Sequence, residues 1–260
     1  SMMSVVNYNV ITEPRQMQQQ SIRTAQLASL GELAAGVAHE INNPINGVIN
    51  YAQILLNRLG EGDKSTELAN TIIAEGERIA TIVKDLLFFA REGGPEIKPA
   101  DIGEVLAESL SLTEAQIRKE GILLNIDIEQ DMPPILTRAQ QVQQLFLNIL
   151  SNARHALNAK YPGTHEGKTI DISMRHIEKE AGGFVRCIFR DSGIGIPAAM
   201  LEKVMNPFIT TKPAGVGTGL GLSISHEIVK NHGGDIRITS QEGEWTEVTV
   251  DLPMINEEEG

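Results

Sequence analysis

At 260 residues the chain exceeds one typical domain and falls short of three, so it holds one or two domains with room for a full hydrophobic core. A hydrophobic content of 41% with 24 Gly and 11 Pro excludes fibrous and disordered classes, and an aromatic content of only 4% points to helical packing rich in Leu, Ile, Val and Ala. The balance of 22 basic against 34 acidic residues, −12 with a pI near 5.0, argues against a protein that lives on nucleic acid or anionic lipid, since either polyanion would be repelled.

In chain order, Gln19 to about Asn57 carries no Gly/Pro cluster. Leu27, Leu30, Ala34, Val37, Ile41, Ile45, Val48, Ala52 and Leu55 recur there in steps of three and four. That spacing predicts one long amphipathic helix, roughly 55 Å at 1.5 Å per residue. The segment Leu59-Gly60-Glu61-Gly62-Asp63 supplies a stop and a cap, and the period resumes with Leu68, Ile72, Ile79, Val83, Leu86 and Ala90. Two antiparallel helices are expected, exposing an apolar face most readily buried against a copy of itself as a four-helix bundle, hence a homodimer. Arg91-Glu92-Gly93-Gly94-Pro95 breaks the pattern. Beyond it, Ile102–Ile117 and Ala139–Leu157 read as helices, and Leu123–Glu129, Thr169–Ile177, Val185–Arg190, Asp235–Thr239 and Glu247–Leu252 alternate as strands. A further helix follows Gly219 to about Asn231. Antiparallel-looking strand pairs with helices on one face predict an α+β sandwich of two layers.

A single cysteine, Cys187, excludes an intramolecular disulfide and a cysteine-based zinc site, and suits a reducing, cytoplasmic compartment. The most apolar stretch, Leu86–Ala90, is far shorter than the roughly 18 residues a membrane span needs, so the chain is expected to be soluble and to leave the membrane uncontacted. Ser1 before Met2 and Met3 looks like a cloning scar, with no secretory signal behind it, and the chain reads as a piece of a longer protein.

Four clusters can carry chemistry. In Ala38-His39-Glu40-Ile41-Asn42-Asn43-Pro44, His39 lies about 160° around the helix from Val37 and Ile41, hence off the apolar stripe. A zinc protease would need histidine where Asn43 stands. What remains is an exposed imidazole beside a carboxylate, either a nucleophile oriented by Glu40 or a solvated surface histidine. Pro44 removes one helical hydrogen bond and is expected to bend the helix there. Asn148 and Asn152 lie at i and i+4 on an otherwise apolar helix and are either ligands for hydrated magnesium and phosphate or surface amides. Asp191-Ser192-Gly193-Ile194-Gly195 follows a strand, where the carboxylate can accept from an exocyclic amine such as adenine's; turn chemistry alone also explains it. Gly215-Val216-Gly217-Thr218-Gly219-Leu220-Gly221 runs into a helix, and its amides with the helix N-terminus suit phosphate. Its spacing is not that of a Rossmann loop. Gly163 to Thr169 imitates a phosphate-binding loop, but it is one residue short, Pro162 occupies the required glycine, and a strand follows; it is expected to be a plain connecting loop.

Together and in this order, the clusters resemble the sensor histidine kinases of two-component systems: His39-Glu40-x-x-Asn43-Pro44 is similar to their H-box, and Asn148–Asn152, Asp191–Gly195, Phe208 and Gly217–Gly221 to their N, G1, F and G2 boxes. The resemblance spans about 25 to 253. It implies a dimeric helical hairpin bearing the phosphoacceptor histidine, joined to a Bergerat-type ATP-binding α/β sandwich. On that basis 1–24 is an extension from a missing sensor region, 25–92 the dimerisation and phosphotransfer domain, 93–99 a linker, 100–254 the catalytic domain and 255–260 a tail.

Carried over residue by residue, the resemblance makes His39 the attacker of the γ-phosphate of ATP, Glu40 its base, and Asn43 a residue for removing phosphate from a partner response regulator receiver domain. Asn152 would be the magnesium ligand with Asn148 beside it, and Asp191 the adenine-binding carboxylate. Gly193, Gly195, Phe208, Gly217, Thr218, Gly219, Leu220 and Gly221 would complete the nucleotide site. His155 stands where many members have Lys or Arg, and Lys212 sits in what resembles a mobile lid. The family's closing Gly-x-Gly-Thr box is only partly present, as Gly243-Glu244-Trp245-Thr246. The alternatives are an ATPase of the gyrase, Hsp90 and MutL type, which typically carries a glutamate where this chain has Asn148, and a scaffolding pseudokinase.

Overall fold

The computed structural model describes residues 41–58, 64–90, 97–180, 182–210, 212 and 218–254. It divides into two compact units, Ser1–Gly93 and Gly94–Gly260.

The first unit is a pair of helices, α1 over 41–56 and α2 over Lys64–Ala90. They meet through small residues. A Cβ on Gly76 would lie 2.5 Å from Ile49 Cγ1, so a larger residue there would have to displace the Ile49 side chain, and Ala52 and Ala69 are buried at 2% and 3% exposure. Val83 is likewise buried, whereas Val48, Ile54, Leu55, Leu68, Ile72 and Ile79 remain exposed. Among the described residues, one chain therefore covers its small residues and leaves many of its large ones wet.

The second unit contains two short strands, a five-stranded sheet and a helical layer. β1 (Lys98–Ala100) pairs antiparallel with β3 (Ile135–Thr137), and between them run α3 (Ile102–Lys119) and β2 (Leu123–Ile128). Then follow α4 (Ala139–Lys160), β4 (Thr169–Lys179), β5 (Gly182–Asp191), α5 (Ala198–Leu201), α6 (Gly221–Asn231), β6 (Asp235–Gln241) and β7 (Trp245–Pro253). The sheet order is β2-β4-β5-β7-β6. Period-two burial puts Ile170, Ile172 and Met174 of β4, Val185, Cys187 and Phe189 of β5 and Val248 and Val250 of β7 on the core face. Leu106, Leu145, Phe146, Leu150, Ile224 and Ile228 of the helices are fully buried with them, and the Phe146 and Phe189 rings lie 5.3 Å apart. At about 25 cal/mol per Å² of apolar surface removed from water, this layer dominates the stability of the unit. The opposite sheet face is polar and cross-linked: Arg186 grips Asp251 at 2.7 and 2.8 Å, and Arg190 bonds Glu247 at 3.3 Å.

Two differences from the sequence expectation are physical. β2 pairs with β4 parallel rather than antiparallel, because the chain between them crosses over through β3 and α4 instead of making a tight hairpin. β1, β3 and α5, of three, three and four residues, are too short to display a period. The first two residues of β1, Lys98 and Pro99, fall within the stretch read as linker.

Candidate active site

His39, Glu40 and Gly217 lie outside the described residues. Asn43 is exposed on α1. The remaining candidates belong to the second unit, where α4, the end of β5, the segment between α5 and α6 and the start of α6 supply them.

The carboxylate end is built at the close of β5. Asp191 is 6% exposed, and its Oδ1 accepts from the Gly193 backbone N–H at 2.9 Å. Burial pushes its carboxyl up to about 7, against the opposing pull of that N–H and of the Lys160 charge. α4 presses directly on the turn: a Cβ on Gly193 would come within 2.6 Å of Ala156 Cβ, and Ile194 N–H donates to Ala156 O at 3.3 Å. Gly195 has φ +66 and abuts the Gln241 carbonyl, so a side chain there would face both left-handed strain and a backbone collision. Gly243 N–H then donates to Ile194 O at 2.7 Å, tying this loop to the turn between β6 and β7.

Strand register shows a residue that the partial closing box concealed. Thr246 lies directly across from Asp191 in the β5–β7 ladder, is 7% exposed, and its hydroxyl stands 3.0 Å from that of Ser240. It shares the sheet face of Asp191. Trp245 instead sits on the opposite face under the Arg190 guanidinium, 4.0 Å from its ring centroid, so it does not obstruct the carboxylate.

At the other end, Asn148 Nδ2 donates to Gly221 O at 3.1 Å while its Oδ1 accepts from Gln144 at 2.8 Å, binding the middle of α4 to the first residue of α6. One turn on, Asn152 Oδ1 accepts from the Lys212 ammonium at 3.1 Å. Burial lowers the Lys212 amine to about 8. The carboxamide oxygen of Asn152 thus already faces a cation, which is the fit that a magnesium ligand requires. His155 sits on the same helix. Desolvation, followed by the Lys212 and Arg154 charges, lowers its imidazole from the ordinary 6.5 against a weaker opposing pull from Glu120, so it carries less positive charge toward a phosphate than a Lys or Arg would.

The glycine-rich segment reaches α6 through Thr218, Gly219 and Leu220. Thr218 Oγ1 accepts from Leu220 N–H at 3.2 Å, Leu220 is buried, and no side chain caps the helix N-terminus. Gly219 has φ +68 and lies so close to Phe208 that a Cβ would meet the Phe208 carbonyl carbon at 2.5 Å. Phe208, itself at φ +65, donates its N–H to Gly219 O at 2.9 Å and is 67% exposed. Its ring faces solvent rather than the Asp191 end.

The imitation phosphate loop is structural. Lys168 is 1% exposed and its ammonium donates inward to Glu120 O and Gly163 O at 2.8 and 3.1 Å.

Residues 29–95 match the profile of the His Kinase A (phospho-acceptor) domain, and 137–256 match that of the histidine kinase-, DNA gyrase B- and HSP90-like ATPase. The chain is similar to sensor histidine kinase ZraS of Escherichia coli K12, 32% identical over 98% of this chain and 52% of that protein. It is also similar to sporulation kinase E of Bacillus subtilis 168, 30% identical over 97% and 32%. It therefore spans about half or less of these relatives. Among solved structures, histidine kinase ThkA in complex with response regulator protein TrrA superposes at TM-score 0.63 with 27% identity, covering 95% of this chain and 68% of that one. Full-length ShkA in complex with AMPPNP superposes at 0.65 with 22% identity, covering 85% and 45%, a likeness of fold. A phosphoacceptor hairpin followed by this ATPase sandwich, in the order its motifs foretold, places the chain in the sensor histidine kinase family of two-component systems.

Proposed function

We propose that the chain transfers the γ-phosphoryl group of ATP to His39 and passes it to an aspartate of a response regulator receiver domain, working as a homodimer through residues 25–92. The observation that carries this reading is the convergence on α4 of two ends of one site: a buried carboxylate at Asp191 and a cation-facing oxygen at Asn152.

The adenine amine donates to Asp191, and the triphosphate extends along α4 toward the N-terminus of α6, whose amides suit anionic oxygens. Asn152, with Asn148 beside it, would hold magnesium, which would supply positive charge against the phosphates. Lys212 exchanges Asn152 for the γ-phosphate. The lone pair of one His39 ring nitrogen forms the new N–P bond as the bond to the β,γ-bridging oxygen breaks and ADP leaves, while Glu40 holds the proton on the other nitrogen. Asn43, one turn from His39, orients a water against the phosphorylated regulator. A water-activating ATPase is disfavoured because position 148 offers an amide committed to Gly221 O and Gln144, which cannot act as a base.

Incubation with labelled ATP·Mg²⁺ is expected to yield acid-labile, base-stable phosphate at His39 alone, lost in His39→Gln. Label that persists in that variant overturns the assignment, and steady phosphate release without phosphohistidine would favour the ATPase.

A further inference from the structure

We propose that Lys160 is a positioning residue for the adenine end of the site, fastening the Asp191–Ser192 turn to α4 and to the β6–β7 turn and bringing its positive charge to that end. The inference rests on the reading of Asp191 as the adenine acceptor. Lys160 is the last residue of α4. Its ammonium donates to Ser192 O at 2.8 Å and to Glu244 O at 2.9 Å, and it stands 5.2 Å from the Tyr161 ring centroid. Three segments that do not adjoin in sequence, the end of α4, the turn after β5 and the turn before β7, thus converge on one cation.

The same ammonium also borders a cavity of about 460 Å³ on the Arg190 and Trp245 face of the sheet, away from the Asp191 carboxylate. Its charge is the opposing influence that the buried carboxylate feels most after the Gly193 N–H. The other charged groups around that cavity are Asp171 on β4, Arg190 on β5 and Glu244 in the turn. Arg190 is committed to Glu247 and to the face of Trp245. The cross-strand neighbours of Asp191, Ile170 on β4 and Thr246 on β7, carry no charge. Lys160 is therefore the cation placed to offset what burial does to this carboxylate, and a family pattern based on the carboxylate and glycines does not include it.

The test is calorimetric titration of the intact chain with ADP between about pH 5.5 and 9. Wild-type affinity is expected to fall as pH drops through about 7, because a protonated Asp191 loses an acceptor for the adenine amine. Lys160→Gln retains a donor for the carbonyls without the charge, and Lys160→Arg retains both. In Lys160→Gln the inflection is expected to move upward, weakening ADP about five-fold near neutrality and less than about two-fold at pH 9, with Lys160→Arg restoring the wild-type profile. An unchanged profile in Lys160→Gln overturns the inference, as does an equal loss of affinity at every pH, which marks a mere structural fastener. Lys160→Met removes bonds and charge together; should it fail to fold, the Gln and Arg variants still decide. Wild-type affinity in Asp191→Asn removes the adenine reading itself and this inference with it, whereas the Lys160 outcomes bear on Lys160 alone.

Discussion

Asn43 follows His39 by one helical turn in the sequence and is exposed on α1, so its amide is available to a docked partner rather than spent in the hairpin core. Asn43→Ala is expected to lose most phosphatase activity toward a phosphorylated receiver domain, on the order of ten-fold or more, while autophosphorylation stays within about three-fold. Parallel assays of regulator dephosphorylation and His39 labelling check this, and equal loss of both makes Asn43 structural. At this scale legibility follows chemistry. Asp191 was readable because a carboxylate between a strand and two glycines has few uses, and burial of its side chain agrees with one of them. Thr246 was discounted because Trp245 breaks the familiar glycine spacing, yet alternation along β7 sends the two side chains to opposite faces. Lys160 left no sequence signal, since its acceptors are carbonyls 32 and 84 positions away.

Among elements, α4 carries Asn148, Asn152 and His155, and its N-terminus has no side-chain cap of its own. His232, just beyond α6, serves instead: its Nε2 accepts from Arg138 N–H at 3.2 Å, which assigns the ring proton to Nδ1, facing Ile228 O at 2.7 Å. Burial lowers this imidazole from 6.5, the Ile228 carbonyl opposes the shift, and the Arg138 charge adds to it. The folded chain thus favours the neutral ring and binds fewer protons than the unfolded chain, so this contribution is present above 6.5 and is lost as pH falls below it. Unfolding free energies from urea titration at pH 7.5 and 5.5 are expected to differ by more in wild type than in His232→Gln, by about 0.5–1.5 kcal/mol, the net worth of one hydrogen bond. Equal differences would remove the capping role. Comparing the two chains isolates His232 from His155 and His226, which are also lowered. The long helices and strands were legible in the sequence because their periods repeat. The parallel β2–β4 pairing was not, since nothing in β2 itself records that its partner arrives only after a crossover.

For the molecule as a whole, the hairpin separates two kinds of apolar residue that a helical wheel treats alike. Val83 is 4% exposed within one chain and Ile72 is 43% exposed. Ile72→Glu is therefore expected to yield a monomer that keeps its helicity, whereas Val83→Glu loses helicity as well. Each large side chain left wet costs about 1.5–3 kcal/mol, enough for several to disfavour a monomer strongly. Sedimentation with circular dichroism of each variant checks this, and a wild-type chain that is monomeric at micromolar concentration ends the bundle reading. Association through 25–92 is expected to survive removal of everything after Pro95.

The inward-turned Lys168 has a consequence for how phosphate is sorted by this protein. Of the two glycine loops whose sequences suggest a phosphate cradle, one feeds a strand and the other a helix. In the strand-bound loop the amides of Gly167, Lys168 and Thr169 already donate to His165 Nδ1, His165 O and Ser192 Oγ. An anion arriving there would find its donors engaged and the lysine facing the interior. A helix start does the reverse, since its first amides have no carbonyl one turn back to satisfy them. Which element comes next in the chain thus decides whether a glycine loop presents its amides or spends them, and the loop ending at Thr169 spends its own.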